Sequence, residues 1–313
     1  MSGFLRLVNF AAIVLLMSFC TRNEREQVKS ELSKKELRGT SIQDTLFAKG
    51  KELGALKNKK LNEVSGLAAS VANPGMLWTH NDSGNDAEVY LIDLETNIKQ
   101  TYVLKGVSNR DWEEIALGPG PEPGAQYVYV GDIGDNMAIH KFKYIYRFRE
   151  PVYKSGTDKA KIDITDFETI AFSLSDERRD TEAFVVDPET RDIYIISKWK
   201  SPSDLYRLKY SNSTHDTLIA EHIGTLPIST VVAADFSRDG TELLVKTYNS
   251  VFYWKRSANT SVLTMLQKPG TPLPYRREPQ GEAVTWSTNG NGFYTLSEQK
   301  KREQVHLMFY ERK

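Results

Sequence analysis

Residues 182–208 read EAFVVDPETRDIYIISKWKSPSDLYRL, and this stretch holds one complete copy of the pattern that decides the fold. A short apolar run follows Glu182, and Asp187-Pro188 marks a turn. A second run, rich in Ile and Tyr, begins at Asp192, and a loop leads to a third run around Tyr206. Short β-branched and aromatic runs between turn signals are typical of β-strands. The stretch therefore predicts three successive strands.

The same pattern occurs five times along the 313-residue chain, at intervals of roughly 50 to 70 residues. Each copy begins with a small or acidic residue ahead of a short apolar strand. These first strands are predicted at Ser65–Ala69, Glu113–Leu117, Glu182–Val186, Ala234–Ser237 and Glu282–Trp286. Fourth strands are predicted at Gln100–Leu104, Ile162–Phe172, Thr217–Ile223 and Val262–Gln267. The fifth copy ends with the chain after three strands, and residues 46–57 can supply its outer strand.

Four-stranded repeats of this length are the signature of a β-propeller. The sequence thus predicts an all-β fold, with residues 46–313 forming one propeller of five blades, each with four antiparallel strands. Closure by the N-terminal strand would remove the exposed edges of an open sheet. A six-bladed ring is the alternative, because the long second copy has room for extra strands. An array of immunoglobulin-like sandwiches fits less well, because each copy has too few strands.

The first 20 residues have the pattern of a signal peptide. Met1–Phe10 carries one charge, and the apolar run 11–19 is too short to span a bilayer as a helix. Cys20, the only cysteine, follows this run and resembles the lipidated cysteine of a bacterial lipobox. Phe19 is larger than the residue usual before that cysteine, so an ordinary signal peptide is the alternative. A mature chain without another cysteine has no internal disulfide.

Residues 21–45 are polar and charged, which predicts a tether between the anchor and the propeller. Together these features predict a lipoprotein of the bacterial cell envelope, held to a membrane of the periplasm or outer membrane by an acyl chain on Cys20. Secretion is the alternative. The 41 basic and 41 acidic residues balance, which gives no support to a nucleic-acid partner. The sequence gives no indication of oligomeric state.

In a propeller, the first strand of each blade lines the central channel, and the second strand runs antiparallel to it. The start of the first strand and the end of the second therefore lie at the same face. This places Glu113, Glu182 and Glu282 at equivalent positions around one mouth, with Ser65 and Ala234 completing the ring. Converging carboxylates repel one another unless they are protonated, paired with bases or held by a cation.

Oxygen ligands without cysteine suit Ca²⁺, with Mg²⁺ as the alternative. The predicted metal ligands are Glu113, Glu114, Glu182, Glu282, Asp235 and Asp132. Other polar residues near the same mouth are predicted to line the channel and contact a small ligand: Glu63, His80, Asn81, Asp82, Asp135, Asn136 and Lys198. The competing interpretation is structural, since Asp, Asn and Gly are also ordinary turn residues.

Three motifs, WTHNDSG (residues 78–84), DWEEIA (111–116) and YVGDIGDN (129–136), resemble those of a family of uncharacterised bacterial secreted or lipid-anchored propellers. Glu113-Glu114 stands where nearer relatives often have Glu-Asp. More distantly, the layout is similar to propellers of the gluconolactonase and regucalcin type and to esterase-like phytases. That resemblance implies acidic residues at the channel mouth, often around a divalent metal. It transfers no catalytic role to individual residues.

Two functions fit these features. The first is an envelope lipoprotein that binds a divalent cation and a small ligand at an acidic channel mouth. The second is a metal-dependent hydrolase of an ester, lactone or phosphoester, in which the cation polarises the substrate and a carboxylate activates water. The sequence lacks the G-x-S-x-G, H-E-x-x-H and Walker motifs, which favours binding. Protein docking on the opposite face is a third function that propellers support.

Overall fold

The structure is a computed structural model that describes residues 46–156, 160–198, 202–211, 216–299 and 303–313. The predicted signal peptide, Cys20 and the tether at 21–45 lie outside these described residues. The all-β prediction is confirmed: strands dominate the described chain, and the helix within it, α1 (Val262–Leu266), has five residues. None of the helical segments described there has the length and apolar character needed to cross a membrane.

The strands follow one another closely along the chain. The first half contains β1 (Lys51–Ala55), β2 (Val64–Ala69), β3 (Met76–Asn81), β4 (Glu88–Asp93), β5 (Ile98–Leu104), β6 (Trp112–Pro119), β7 (Gln126–Asp132), β8 (Lys143–Arg149), β9 (Lys161–Ile164) and β10 (Glu168–Leu174). The second half contains β11 (Thr181–Val186), β12 (Ile193–Ser197), β13 (Ser203–Leu208), β14 (Leu218–Leu226), β15 (Val231–Phe236), β16 (Glu242–Thr247), β17 (Val251–Lys255), β18 (Thr271–Pro272), β19 (Gly281–Trp286), β20 (Gly292–Ser297) and β21 (His306–Glu311).

Antiparallel pairing groups these strands by repeat. The pairing orders are β2-β3-β4-β5, β6-β7-β8-β10, β11-β12-β13-β14, β15-β16-β17-β18 and β19-β20-β21-β1. Two parallel pairs, β5 with β9 and β10 with β14, join neighbouring repeats at their outer edges. The first strands β2, β6, β11, β15 and β19 each contact the next, and β19 contacts β2. The fold is therefore propeller-like, with a closed ring of first strands.

The N-terminal strand β1 lies within the segment 46–57 that the sequence assigned to ring closure. It pairs antiparallel with β21, where Lys51 faces Phe309 and Glu52 faces Met308. Phe47 extends this pairing with a bridge to Arg312. Apolar side chains fill the space between each sheet and its neighbours, including the space between the fifth repeat and the first. The two ends of the described chain thus belong to one sheet.

One predicted strand is wrong. The segment Val262–Gln267 forms α1 instead, because Ser261 caps the helix by accepting a hydrogen bond from the Thr264 amide at 3.1 Å. Val262, Met265 and Leu266 are buried, and their spacing matches one face of a helix. The outer strand of this repeat is the two-residue β18. The predicted strand Ile162–Phe172 is divided between β9 and β10.

Replacement of Phe47 tests the closure. Its side chain is fully buried against Tyr253, Trp286 and Phe293. Phe47→Ala should lower the free energy of unfolding by about 3–5 kcal/mol, the usual cost of removing a core phenylalanine. Ile219→Ala, at a position 66% exposed, is the control and should change it by less than about 0.5 kcal/mol. Equal urea midpoints for the two variants would show that residue 47 does not hold the ring closed.

Candidate functional site

Each first strand contains the same irregularity near its start. Pairing with the second strand shifts by one residue between Val64 and Leu67 in β2, and equivalent shifts occur in β6, β11, β15 and β19. Such a β-bulge redirects a side chain out of the regular pleat. The extra residues are Ser65, Glu113, Glu182, Val232 and Glu282. The bulge is therefore the feature that aims three glutamates at one mouth.

The fourth repeat corrects the predicted ring. Val232, not Ala234, occupies the position of Glu113 and Glu182, because β15 begins earlier than the sequence suggested. Asp235 consequently lies three residues beyond the bulge. Its Oδ2 accepts hydrogen bonds from Thr285 Oγ1 and the Trp286 amide, both at 2.8 Å, at the end of β19. The structure does not bring Asp235 together with the glutamates.

Glu113 is shared by two groups of carboxylates. In one it meets Asp82 and Asp111, and in the other it meets Asp180 and Glu182. Within each group the ligand oxygens lie within 4.8 Å of one another. Glu113, Asp180 and Glu182 are buried, whereas Asp82 and Asp111 are half-buried. We call these five residues the acidic mouth.

The loop after β7 packs directly against this cluster. The amides of Ile133 and Gly134 both donate to the Asp111 carbonyl at 3.1 Å, and the Asp135 amide donates to Asp180 Oδ1 at 2.8 Å. A Cβ on Gly134 would overlap Glu113 Oε1 and the Asp111 carboxylate. Glycine is thus required here for close approach, which explains the GDIG sequence of this loop.

Two buried lysines lie beside the carboxylates. The Lys198 ammonium forms an ion pair with Glu182, and both side chains are more than nine-tenths buried. Lys143 donates to the Ile133 carbonyl, and burial lowers its pKa to about 8 although Asp135 and Asp180 oppose that change. The lysines balance only part of the negative charge of the five acidic residues.

The pKa values show that ionisation of these carboxyl groups is unfavourable. Burial, reinforced by the charge of Glu182, raises the pKa of Glu113 well above its usual value. Burial also raises the pKa of Glu182 to about 8, against the opposing effect of Lys198. Burial raises the pKa of Asp82 to about 6. Without a cation, full ionisation of the acidic mouth is therefore unfavourable at neutral pH.

Glu282, the third bulge glutamate, lies near the acidic mouth but outside both carboxylate groups. Its Oε1 accepts a hydrogen bond from the Tyr248 hydroxyl at 2.7 Å. Its charge contributes to the raised pKa values of Asp82 and Glu182. Burial and the charge of Glu282 raise the pKa of Glu298 to about 9. This pair extends the acidic surface toward the fifth repeat.

Glu114 crosses the channel rather than joining the mouth. Its Oε2 accepts a hydrogen bond from the Ala234 amide at 2.9 Å, and its Oε1 accepts one from the Ile115 amide at 3.1 Å. β6 and β15 belong to the second and fourth repeats, so the side chain reaches across the ring. Burial raises its pKa well above the usual value. The equivalent residues in the other repeats are small: Gly66, Ala183, Ala233 and Ala283.

The other predicted metal ligand, Asp132, is also outside the acidic mouth. Its Oδ1 lies 3.2 Å from Arg110 Nη2, and the Asp132 side chain is buried. This ion pair, with Arg110 also over the ring of Tyr144, accounts for the placement of the carboxylate.

The predicted ligand-channel residues at the ends of β3 and β7 mainly order their own loops. His80 is fully buried with Nδ1 3.0 Å from the Asn81 carbonyl, and burial lowers its pKa to about 4, so it is neutral. The Asn81 side chain donates to the Lys60 carbonyl. Asp135 accepts hydrogen bonds from the Ile139 and His140 amides at 2.9 and 2.8 Å.

Two further predicted residues are exposed. Glu63 accepts a hydrogen bond from the Asn85 side chain at 2.7 Å, and Asn136 lies in the loop after β7. Of the predicted ligand-channel residues, Asp82 and Lys198 contact the carboxylates of the acidic mouth through their side chains, and Asp135 does so through its backbone amide.

Sequence reasoning missed Asp111, Asp180 and Glu298 as site residues. A signal for the first two is present: Asp111 precedes Glu113 by two residues, and Asp180 precedes Glu182 by two. The repeated D-x-E spacing at equivalent bulges would have identified both. Glu298 follows the end of β20, in a position that no repeated pattern marks.

No protein-family model matches the chain, and no curated protein matches its sequence. A solved structure of a gluconolactonase from Xanthomonas campestris is similar with a TM-score of 0.47 and 10% identity. The match covers 80% of this chain and 72% of that chain. A likeness of this size carries no conclusion about activity, so any function must come from the geometry of the site.

The raised pKa values predict how stability depends on pH. Glu182 and Asp235 have pKa values of about 8 and about 7, against ordinary values of 4.5 and 3.8. Between pH 6.5 and 7.5 the native state therefore holds more protons than the unfolded chain, and the free energy of unfolding should fall as pH rises. His80, whose pKa falls from 6.5 to about 4, opposes this trend by about half a proton at pH 6.5 and by less at pH 7.5.

Urea denaturation in EDTA should show a decrease of roughly 1–3 kcal/mol over this one pH unit, since one proton corresponds to about 1.4 kcal/mol. Glu182→Gln should reduce the slope. Asp163→Asn, which alters an exposed carboxylate, should leave it unchanged. A free energy of unfolding that stays level or rises with pH would contradict the proposed burial of protonated carboxyls.

Proposed function

We propose that the acidic mouth binds a divalent cation, with Ca²⁺ preferred and Mg²⁺ as the alternative, together with a small ligand. The supporting observation is the position of Glu113, whose carboxylate belongs to two groups of oxygens, each within 4.8 Å. Carboxylate oxygens are the ligands that Ca²⁺ takes, and Ca²⁺ tolerates irregular geometry better than Mg²⁺ does. The specific ion is part of the proposal.

The charge balance of the site supports this function. Buried carboxylates are costly unless they are paired, hydrogen-bonded or bound to metal. Lys198 pairs with Glu182, and Lys143 donates to a backbone carbonyl. A divalent cation would stabilise the ionised form of Glu113 and its neighbours, and it would lower the pKa values that burial raises.

The two carboxylate groups would serve different roles. Glu113, Asp180 and Glu182 are buried, so they are suited to coordinate the ion on the side that faces the protein interior. Asp82 and Asp111 are half-buried, so the side of the site next to them is accessible to water. A small ligand with an oxygen donor would approach the cation from that side.

Calorimetric titration with Ca²⁺ tests the cation proposal. We expect binding by the unaltered protein and a higher melting temperature at saturating Ca²⁺, since a ligand at 100 times its Kd adds about 2.7 kcal/mol to the free energy of unfolding. Glu113→Gln should weaken binding at least about tenfold, because it removes a charged oxygen from both groups. Gly134→Ala should also weaken binding, by displacing Glu113 and Asp111.

Asp163→Asn is the matched control for loss of one carboxylate, since Asp163 is 56% exposed and pairs with Lys105 on the outer edge. It should bind Ca²⁺ as the unaltered protein does. Absence of heat and an unchanged melting temperature with Ca²⁺ or Mg²⁺ would remove the basis of the proposal.

A metal-dependent hydrolase of an ester, lactone or phosphoester is the second candidate, and Asp82 favours it. This carboxylate is half-buried, belongs to a group with Glu113, and has a pKa of about 6. A group with a pKa near the working pH is well suited to proton transfer. Asp82 would take a proton from water as the water oxygen attacks the substrate, and it would give that proton to the leaving oxygen as the bond to that oxygen breaks.

Purified protein should be assayed against panels of esters, lactones and phosphoesters in Ca²⁺ and in EDTA. On the hydrolase hypothesis, one panel shows turnover that EDTA abolishes. Asp82→Asn, assayed at saturating Ca²⁺, should then lower kcat by roughly 10²–10⁴-fold, the usual contribution of a general base. Inactivity on every panel, combined with Ca²⁺ binding, would leave the binding function alone.

We also propose that the ring is a single five-bladed propeller over residues 46–313. The five antiparallel groups and the closed circuit of first strands support this count. The second repeat, which left room for a sixth blade in the sequence, uses its extra strand β9 to pair with β5 of the first repeat.

The cellular location remains a proposal from sequence: an envelope lipoprotein anchored to a membrane through an acylated Cys20, with secretion as the alternative. Expression with labelled palmitate should label the protein, and Cys20→Ser should abolish labelling and release the protein from membranes. Labelling that persists in Cys20→Ser would contradict the anchor. An unlabelled, processed protein would favour the ordinary signal peptide.

A further inference from the structure

The opposite end of the channel contains a cavity that the acidic mouth does not use. Its volume is about 180 Å³, and the ends of all five first strands or the residues after them contribute to its lining. The bulge glutamates lie at the starts of the same strands. The cavity, which we call the far mouth, is therefore separated from the acidic mouth by the length of the channel.

A carboxylate lies in this cavity. Asp235 is half-buried, and the hydrogen bonds from Thr285 Oγ1 and the Trp286 amide both go to one oxygen, Oδ2. Thr285 Oγ1 in turn accepts a hydrogen bond from the Ala69 amide at 3.1 Å. Three repeats thus fix the orientation of the Asp235 side chain. Burial raises its pKa to about 7, so a cationic partner would stabilise its ionised form.

A guanidinium group lies at the same cavity. Arg238 follows β15 and is exposed, and none of the described residues forms an ion pair with it. Asp235 and Arg238 are close in sequence and line one small space, yet they are not within ion-pair distance of each other. A guanidinium with this freedom suits recognition of a carboxylate by two parallel hydrogen bonds.

The remaining walls combine polar side chains, including Gln126, Ser287 and Thr288, with apolar ones. Leu117, Phe236 and Trp286 line the far mouth, and all three are half-buried or buried. A cavity of roughly 150 Å³ holds a benzene-sized molecule, so this space suits a small metabolite rather than a peptide or a polysaccharide. A ligand that fills it needs an apolar body and two opposite charges.

We propose that the far mouth binds a small zwitterion of the α-amino acid class with an apolar side chain. The ammonium group would contact Asp235, the carboxylate would contact Arg238, and the side chain would lie among Leu117, Phe236 and Trp286. This site is distinct from the acidic mouth, because its lining contains none of the five acidic-mouth residues and Glu114 crosses the channel between the two. Its occupancy requires neither Ca²⁺ nor catalysis.

Calorimetric titration with L-valine, L-leucine and L-methionine in EDTA tests the proposal. At least one should bind, and the amine and the carboxylic acid that each lack one charge of leucine, 3-methylbutylamine and 4-methylpentanoate, should bind at least about tenfold more weakly. Asp235→Asn and Arg238→Gln should each weaken amino-acid binding by about tenfold or more. The result should be the same in Ca²⁺.

Matched controls are available for both charge changes. Asp163→Asn and Arg149→Gln remove charges from exposed ion pairs away from the channel and should leave binding unchanged. Arg238→Gln alters an exposed side chain, so it tests the site even if Asp235→Asn unfolds. Three results would overturn the proposal: no binding of any of the three amino acids, equal binding of 3-methylbutylamine and leucine, or undiminished binding by Arg238→Gln.

Discussion

The β-bulge near the start of each first strand is the constraint on which the rest of the site depends. A regular strand would send alternate side chains into the spaces between sheets, whereas the extra residue turns its side chain toward the common axis. The charge of the channel mouth then depends on which residue each repeat has at its bulge. With Glu113 and Glu182 in adjacent repeats, two carboxylates are forced together, and the D-x-E spacing adds Asp111 and Asp180 to them. The Val232 and Ser65 bulges add no charge on their sides of the ring.

Electrostatics makes this arrangement unfavourable without a partner. Closing the ring buries the glutamates, and burial is the largest cause of their raised pKa values. Packing between the sheets provides the free energy that keeps them there, because the apolar clusters join every neighbouring pair of repeats. Simultaneous ionisation of every carboxyl group in the acidic mouth is therefore unfavourable. On the proposed function, a divalent cation would favour the ionised form of these carboxyl groups.

Much of the fold was predictable because the repeat and its turn residues are local signals. The first strands, their antiparallel partners and the pairing of β1 with β21 follow from those signals. The fourth strand predicted at Val262–Gln267 is a helix instead. The Ser261 N-cap and the helical spacing of the apolar residues outweighed the strand pattern of the repeat. The sequence was sufficient to predict that Glu113 and Glu182 lie close together. It was not sufficient to predict that Asp235 lies away from them. The placement of Asp235 depends on where a bulge falls within the run Val231–Ala234, and strand periodicity alone does not show a one-residue bulge.

Glu114 shows why the two mouths should be treated as separate sites. The other four repeats have glycine or alanine at the position of Glu114. In the second repeat, Glu114 instead accepts a hydrogen bond from the amide of Ala234, the residue just before Asp235. A negative charge at Glu114 would lie between the two mouths and repel both sets of carboxylates. Because burial disfavours that charge, Glu114 bridges the second and fourth repeats by hydrogen bonding and lies between the acidic mouth and the far mouth.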